Sequence, residues 1–514
     1  MPDQSLQDNA DNKPANPRIL VVTPEITYLP QGMGNLANIM TAKAGGLADV
    51  SASLISALFS LGADVHVALP HYRRMFNSRV GDVINEKLMT YKNKLPGARI
   101  HLAEDRIFYY RDNVYSQAQG GAPKISLAFQ REVLNNIIPW VKPDLIHCND
   151  WMTGLIPPMA RFLDIRCLFT IHNVHTRCMT LGEIEDSGID AAEIWQYLYY
   201  RYPPGNYEET RDTNPADFLG SGVFASHFIN TVSPKFLEEI VEGMRDFVPE
   251  PIQKEITAKY EAKCAAGILN APDPGYHPGT DELIAENFEP ESHVQGKRAN
   301  KAALQEQLGL IHEPDAPLFF WPSRLDPYQK GPQLLAHILY DVVSDYWDDK
   351  LQIVFVADGA FQQPFHDLVR FHDFYDRIAV CDFDEKLSHL AYAASDVVLI
   401  PSLFEPCGLA QMIGMKYGAI PVANDTGGLH DTIDMLVPEQ NRGNGILFTV
   451  YDSQGLRWGI DQAMNFERLP LKRKAQQRER IMQEAAERFT HEQTARQYIE
   501  IYEKMLERPL VNPF

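Results

Sequence analysis

A chain of 514 residues, 45% hydrophobic and 22% charged, has the make-up of a water-soluble globular protein, with length for about three domains or two large α/β ones. Its net charge of -21 argues against a nucleic-acid backbone or an anionic membrane surface as the main partner. An anionic ligand must therefore be met by locally placed cations.

Residues 1–17 are polar and lack the basic and apolar regions of a signal peptide, so a frayed, disordered N-terminus on a cytoplasmic protein is expected. The six cysteines, Cys148, Cys167, Cys178, Cys264, Cys381 and Cys407, are scattered without a Cys-x-x-Cys pair. That usage suits a reducing compartment and offers neither a disulfide framework nor a zinc site.

The first apolar, β-branched run, residues 18–23, reads as a central strand ending at Pro24-Glu25. After an irregular segment with Gly32-Met33-Gly34, Lys43-Ala-Gly-Gly-Leu47 leads into a helix with Leu47, Val50, Leu54, Leu58 and Leu61 at helical spacing. Residues 63–70 are the next strand. Strand, glycine turn, helix and strand open a Rossmann-like unit. Glycines that let the backbone approach, free N–H groups at the helix start and the charge of Lys43 together suit a phosphate. A plain strand-to-helix turn with a surface lysine has the same sequence pattern.

Two further strands, residues 144–151 and 166–173, each run into a polar cluster at the carboxyl end, Asn149-Asp150-Trp151 and His172-Asn173. Open α/β sheets bind ligands at the carboxyl ends of their strands, so Asp150 and His172 become site candidates. His147, inside its strand, reads as a satisfied core histidine. The aromatic-rich stretch 181–211 is expected to lie as an insertion over a cleft, its rings serving packing more than sugar stacking. Residues 228–234 form the last strand of the first half, and the Pro/Gly-rich run 267–280 is the best domain boundary.

The second half restarts with the strand-like run 318–325, which ends in Ser323-Arg324-Leu325, followed by Gln329-Lys330-Gly331 at a turn and a helix from about Pro332. Further strands are 352–357 and 378–381. Then comes Asp396-Val-Val-Leu-Ile-Pro-Ser-Leu-Phe-Glu405-Pro-Cys-Gly-Leu409, a strand and a tight turn carrying one carboxylate, with Thr426-Gly-Gly-Leu429 opening another helix. Arg324 and Lys330 could neutralise a diphosphate leaving group, the first with a planar fork and the second with a point charge. Asp382-Phe383-Asp384 has the spacing by which some sugar transferases hold a divalent ion, a three-residue match that arises often by chance. Both halves alternate strands and helices, so the expected architecture is α/β, with a ligand between the halves. The expected division is 1–17 disordered, 18–268 an N-terminal Rossmann-like domain, 269–490 a C-terminal Rossmann-like domain, and 491–514 a helix packing back on the first domain.

As an ordered set, Lys43-x-Gly-Gly-Leu47, Asp150-Trp151, Thr170-Ile-His172-Asn173, Thr231-Val-Ser-Pro234, Ser323-Arg-Leu325 with Gln329-Lys-Gly331, Phe404-Glu-Pro-Cys-Gly-Leu409 and Thr426-Gly-Gly-Leu429 resemble the bacterial glycogen synthases and plant starch synthases. The resemblance spans about residues 18–506. It implies a GT-B fold of two Rossmann-like domains facing a central cleft, 18–268 on the acceptor side and 269–490 binding the nucleotide-sugar. It also implies retaining transfer of glucose from a nucleotide-glucose, first ADP-glucose, to the non-reducing end of an α-1,4-glucan, with no metal or other cofactor. Carried over by position, the catalytic set is Glu405, Asp150, His172, Lys43, Arg324 and Lys330. The donor-binding set is Lys43, Gly45, Gly46, Asn270, Arg324, Lys330, Phe383, Cys407, Gly408, Leu409, Thr426, Gly427 and Gly428. The implied partners are the nucleotide-sugar and the glucan, not nucleic acid or membrane.

Several positions depart from the family pattern. Lys43 follows Glu25 about a dozen residues later than in usual members, Ala44 stands for the common Thr, and Asn149-Asp150-Trp151-Met152 lacks both flanking histidines. Asp326-Pro327-Tyr328 lengthens the loop from Arg324 to Lys330, Ala271-Pro272 follows Asn270, and Asn424 replaces the Arg that often precedes Thr-Gly-Gly-Leu by two. These departures leave three readings open: a working synthase with an altered acceptor rim, a catalytically weak glucan-binding or regulatory relative, and a GT-B transferase with another acceptor. The intact set of six catalytic candidates argues for the enzyme.

Overall fold

The computed structural model describes residues 16–34, 37, 40–43, 46–76, 99–114 and 121–511. The expected frayed terminus lies outside the described residues for positions 1–15. Contacts divide the chain into two compact units. The first holds the described residues of Met1–Asn230, Phe247–Ala265 and Ala495–Phe514, and the second Thr231–Asp246 and Ala266–Thr494.

In the first unit the apolar runs become strands of a seven-stranded sheet: β1 (Arg18–Val22), β2 (Asp64–Pro70), β3 (Ile100–Ala103), β4 (Leu145–Asn149), β5 (Arg166–Ile171), β6 (Phe228–Thr231) and β7 (Ala265–Gly267). Their order is β7-β6-β5-β4-β1-β2-β3. Central β1 pairs in parallel with β2 and β4, so Val21 faces Val67 on one side and His147 on the other. All five residues of β4 are buried, as expected of a parallel strand covered on both faces. Helix α1 (Gly46–Ser60) buries Leu47, Val50, Leu54 and Leu58 at the spacing read from sequence, and Leu61 falls in the turn beyond it. Parallel pairing brings the carboxyl ends of β1, β2, β3, β4 and β5 to one edge, which fixes where Asp150 and His172 emerge.

His147 is buried among polar partners rather than facing a ligand. Its Nδ1 is 2.7 Å from Tyr502 Oη and its Nε2 is 2.6 Å from Thr170 Oγ1. Thr170 donates its single proton to Asn230 Oδ1 at 2.6 Å, so Nε2–H of His147 donates to Thr170 and Nδ1 accepts from Tyr502. Asn230 Nδ2 in turn donates to Tyr498 Oη at 3.0 Å. Helix α2 (His491–Leu506) supplies both tyrosines, and this polar chain ties it to β4, β5 and β6. The aromatic stretch after residue 180 surrounds a small antiparallel sheet of Cys178–Met179, Tyr199–Tyr200 and Ala216–Asp217. There Tyr200 Oη donates to Trp195 O at 2.8 Å, and Trp195 meets Tyr207 edge-on.

The second unit has a six-stranded sheet: β8 (Leu318–Trp321), β9 (Gln352–Val356), β10 (Ile378–Cys381), β11 (Val397–Ile400), β12 (Ile420–Asn424) and β13 (Ile446–Phe448), in the order β10-β9-β8-β11-β12-β13 with every pairing parallel. Strand alternation sorts its side chains into two cores: Phe319, Trp321, Phe355 and Leu399 pack on one face, Phe320, Val354, Val398 and Ile400 on the other. Before β11, buried Asp396 accepts from Lys301 and from Leu318 N at 2.9 Å, and pairs with Arg478 at 3.2 Å. Burial alone would raise its carboxyl, but the cations of Lys301, Arg478 and Lys297 outweigh that and hold it well below the usual carboxylate range.

Candidate active site

In the second unit the ends of β8, β11 and β12 carry most of the residues singled out from sequence. After β11 the chain turns through Glu405 and enters helix α3 (Ala410–Lys416). Glu405 is 8% exposed, and its Oε2 lies 2.5 Å from Lys330 Nζ and 3.0 Å from Ser402 Oγ. Lys330 reaches it because Gly331, at φ +71°, is backed against the end of β11, where an added Cβ would stand 2.3 Å from Pro401 O. Arg324 is exposed on the same loop, its Nη2 3.5 Å from Gln329 Oε1, and Gln329 O accepts from Leu403 N at 2.8 Å. The two cations thus share one loop, with the Glu405 turn beside it.

Thr426-Gly427-Gly428 backs directly on the Glu405 turn. Gly428 N donates to Glu405 O at 2.9 Å, and an added Cβ on Gly428 would stand 1.8 Å from Cys407 O. Gly427, at φ +45°, would put a Cβ 2.1 Å from Glu405 O, so the close approach needs both glycines. Gln411 Nε2 joins the same elements, reaching Cys407 O at 3.2 Å, Gly408 O at 2.8 Å and Thr432 Oγ1 at 3.0 Å. Leu409 immediately precedes α3. Burial pushes the Cys407 thiol up to about 12, so it stays protonated, and the Asn270 backbone hydrogen-bonds to it. Asn270 itself is 5% exposed, and its Oδ1 has no hydrogen-bond partner among the described residues.

Phe383 is exposed, and its N donates to Asp358 Oδ1 at 3.0 Å, while Asp358 O accepts from Leu325 N at 2.8 Å beside Arg324. The flanking carboxylates serve the fold: Asp382 accepts from Gln362 at 2.6 Å, and Asp384 caps the helix Glu385–Ala394 through Leu387 N at 2.7 Å. Among the described residues no group of three or more His, Cys, Asp or Glu side chains could hold a metal ion.

In the first unit Asp150 follows β4 at φ +56°, a conformation uncommon outside glycine. The turn aims its carboxylate at the end of β5, where Oδ1 accepts from His172 N at 2.8 Å and Asn173 N at 3.3 Å, and Oδ2 from Asn173 Nδ2 at 2.9 Å. Burial and the negative Glu25 push the carboxyl up to about 7 against the pull of those donors. Burial pushes His172 down to about 3, so its imidazole is neutral. Its Nε2 donates to Asn149 Oδ1 at 2.9 Å, which leaves Nδ1 as an acceptor. Lys43 pairs with Asp49 Oδ2 at 3.0 Å, and Asp49 Oδ1 accepts from Thr27 Oγ1 at 2.6 Å, which steadies the lysine at the start of α1. Gly46 is the first residue of α1, whereas Gly45 lies outside the described residues.

Reading the sequence missed Ser402, Asp49, Glu239 and Arg245. Glu239 carried a signal, since it interrupts the apolar stripe of Phe236, Leu237 and Ile240 on an otherwise amphipathic helix, where a buried carboxylate needs a partner.

Residues 18–248 match the family described as starch synthase catalytic domain, and residues 309–487 match glycosyl transferases group 1. The glycogen synthase of Exiguobacterium sibiricum is 33% identical over 439 residues, 80% of this chain and 86% of its own. That of Moorella thermoacetica is 32% identical over 523 residues, 97% of this chain and 98% of its own. Among solved structures, the catalytic domain of starch synthase IV from Arabidopsis thaliana bound to ADP and acarbose is 27% identical with a TM-score of 0.75, covering 96% of this chain and 100% of that one.

Proposed function

Because the chain belongs to the family of bacterial glycogen synthases and plant starch synthases, with its GT-B fold, and is a glucosyltransferase of glucan synthesis, we propose that it moves glucose from ADP-glucose to the non-reducing end of an α-1,4-glucan with retention of anomeric configuration. The observation that carries this reading is the Lys330–Glu405 pair beside the glycine turn, with Arg324 on the loop of Lys330. Arg324 and Lys330 hold the diphosphate and stabilise its charge as the bond to glucose breaks, an effect worth roughly several kcal/mol in such sites. Glu405 contacts the sugar portions of the donor. Asn270, Phe383, the turn 407–409 and the turn 426–428 complete the donor's surroundings. Lys43, Gly46, Asp150 and His172 serve the phosphate, glucosyl and acceptor side.

Both candidate carboxylates are engaged. Asp150 accepts from His172 and Asn173, and Glu405 from Lys330 and Ser402. That supports departure of the diphosphate from the face that the acceptor hydroxyl attacks, with the leaving phosphate taking the acceptor's proton, over a covalent glycosyl–carboxylate intermediate. The Arabidopsis relative's ADP supports adenine as the donor base. Cytoplasmic location belongs to the same proposal; among the described residues no helix is long and apolar enough to cross a membrane.

The experiment is nucleotide release from ADP-, UDP- and GDP-glucose with glycogen, maltooligosaccharides or small sugars as acceptors. Release of ADP that depends on glycogen, abolished by Glu405→Ala, is expected. Glucan binding without turnover of any nucleotide-glucose would instead make the chain a binding relative, and activity lost in EDTA and restored by Mn²⁺ would overturn the metal-free reading.

A further inference from the structure

Helix α4 (Pro234–Val241) carries Glu239 into the interior of the second unit, where it is 2% exposed. Its Oε1 accepts from Gly427 N at 2.9 Å and from Thr426 Oγ1 at 3.1 Å, so it holds the start of the glycine turn. A carboxylate at that depth needs a counter-charge, and Arg245, in the segment after the helix, supplies it. Arg245 Nη2 lies 2.6 Å from Glu239 Oε1, and Nε lies 2.9 Å from Glu239 Oε2. The same guanidinium donates to Thr426 Oγ1 at 2.6 Å through Nη2 and to Leu403 O at 3.4 Å through Nη1. Leu403 stands two residues before Glu405, and Thr426 one residue before Gly427. One side chain, 12% exposed, therefore bonds both turns and the carboxylate beneath them.

The planar fork of arginine is what allows this, because its N–H groups diverge toward three acceptors, whereas a lysine presents one point charge. Asn424, at the end of β12, adds a further tie to the Glu405 turn, its Nδ2 donating to Ser402 O at 2.9 Å.

We propose that Arg245 is a positioning residue that fixes the Glu405 turn against the 426–428 turn and thereby sets affinity for the nucleotide-sugar donor. This rests on the donor reading given above. Arg245→Ala is expected to raise the donor KM about tenfold or more, with kcat and the glucan KM within twofold, and Arg245→Lys to recover part of that loss. Hydrogen exchange gives a readout that needs no turnover: backbone amides of 403–409 and 426–429 should exchange faster in Arg245→Ala than in the full-length native chain. An unchanged donor KM in Arg245→Ala, or equal rises in both KM values with a matching fall in Tm, would overturn the proposal, as would unchanged exchange in both turns. If Arg245→Ala does not fold, Arg245→Lys must show the same donor-specific direction. A native chain that turns over no nucleotide-glucose defeats the donor reading, and the exchange comparison then still decides whether Arg245 holds the two turns.

Discussion

Lys330 Nζ lies 2.5 Å from Glu405 Oε2, and neither side chain is more than 13% exposed, although 75 residues separate them. Removing one partner of such a pair leaves a desolvated charge behind. Lys330→Ala is expected to destabilise the protein by about 3 kcal/mol. It should also cost about 10²–10³ in kcat, the range found when a group stabilising transition-state charge is deleted. Thermal unfolding measures the first effect, and nucleotide release well below the Tm measures the second. A variant that loses stability and keeps its rate would make the lysine structural alone.

Asp150 gives a pH signature. Its carboxyl stands at about 7 in the fold, mainly through burial, above the ordinary aspartate value of 3.8. Between those limits the unfolded chain has released the proton and the folded chain retains it, so this group's contribution to stability falls as pH rises from about 4 through 7. At 1.36 kcal/mol per unit the loss is at most about 4 kcal/mol. Asp150→Asn removes the titration, so the Tm difference between native and variant proteins should shift against the native protein over that range. If ionised Asp150 serves the reaction, kcat/KM also climbs through an apparent pKa near 7, and the variant's profile flattens there. Parallel Tm curves from pH 4 to 8 would contradict the assignment.

Much of this arrangement was legible in the sequence because it follows from periodicity. The spacing of Leu47, Val50, Leu54 and Leu58 gave α1, and continuous apolar runs gave the buried strands. Parallel strands finish at one edge, so Asp150 and His172 could both be read as candidates there, and in the fold Asp150 Oδ1 accepts from His172 N. Strand β3 was not legible, because Ile100-His-Leu-Ala103 is too short and mixed to stand out. The partners of the site residues were hidden for another reason. Arg245 meets Thr426 across 181 residues, and no local pattern encodes which arginine faces which carboxylate. Asn424 was legible as a departure from the family pattern, but its bond to Ser402 O became visible only in the fold.

The polar chain under α2 tests how that helix is held. Tyr502→Phe leaves Nδ1 of buried His147 without its donor, a cost of about 1–3 kcal/mol. At about 2 kcal/mol this corresponds to a fall in Tm of roughly 4–8 °C for a unit of this size. Burial and the nearby His172 push His147 down to about 3, below the ordinary histidine value of 6.5. Its contribution is therefore complete above pH 6.5 and is lost as pH falls toward 3. His147→Phe alone should cost stability at neutral pH yet flatten the acid limb of the native curve. A double-mutant cycle of the two positions should return a coupling of about 0.5–3 kcal/mol, and additive effects would mean that the bond contributes little.

The last prediction separates close approach from backbone conformation. Gly309 ends the helix His293–Leu308 at φ +68°, and a Cβ there would meet nothing within 4 Å. Gly309→Ala should therefore cost only the left-handed strain, about 1–2 kcal/mol, and leave the kinetics untouched. At Gly428 an added Cβ would stand 1.8 Å from Cys407 O, which is backbone and has no side-chain freedom with which to yield. Gly428→Ala must push the two turns apart, breaking the Gly428 N–Glu405 O bond of 2.9 Å and moving the Glu405 carboxylate from Lys330. A loss of about 3 kcal/mol is expected, together with a fall of at least tenfold in kcat/KM for the donor. Unfolding curves and donor-saturation kinetics on both variants check this. Equal kinetic effects at the two glycines would show that the fit between the turns is not what the donor depends on.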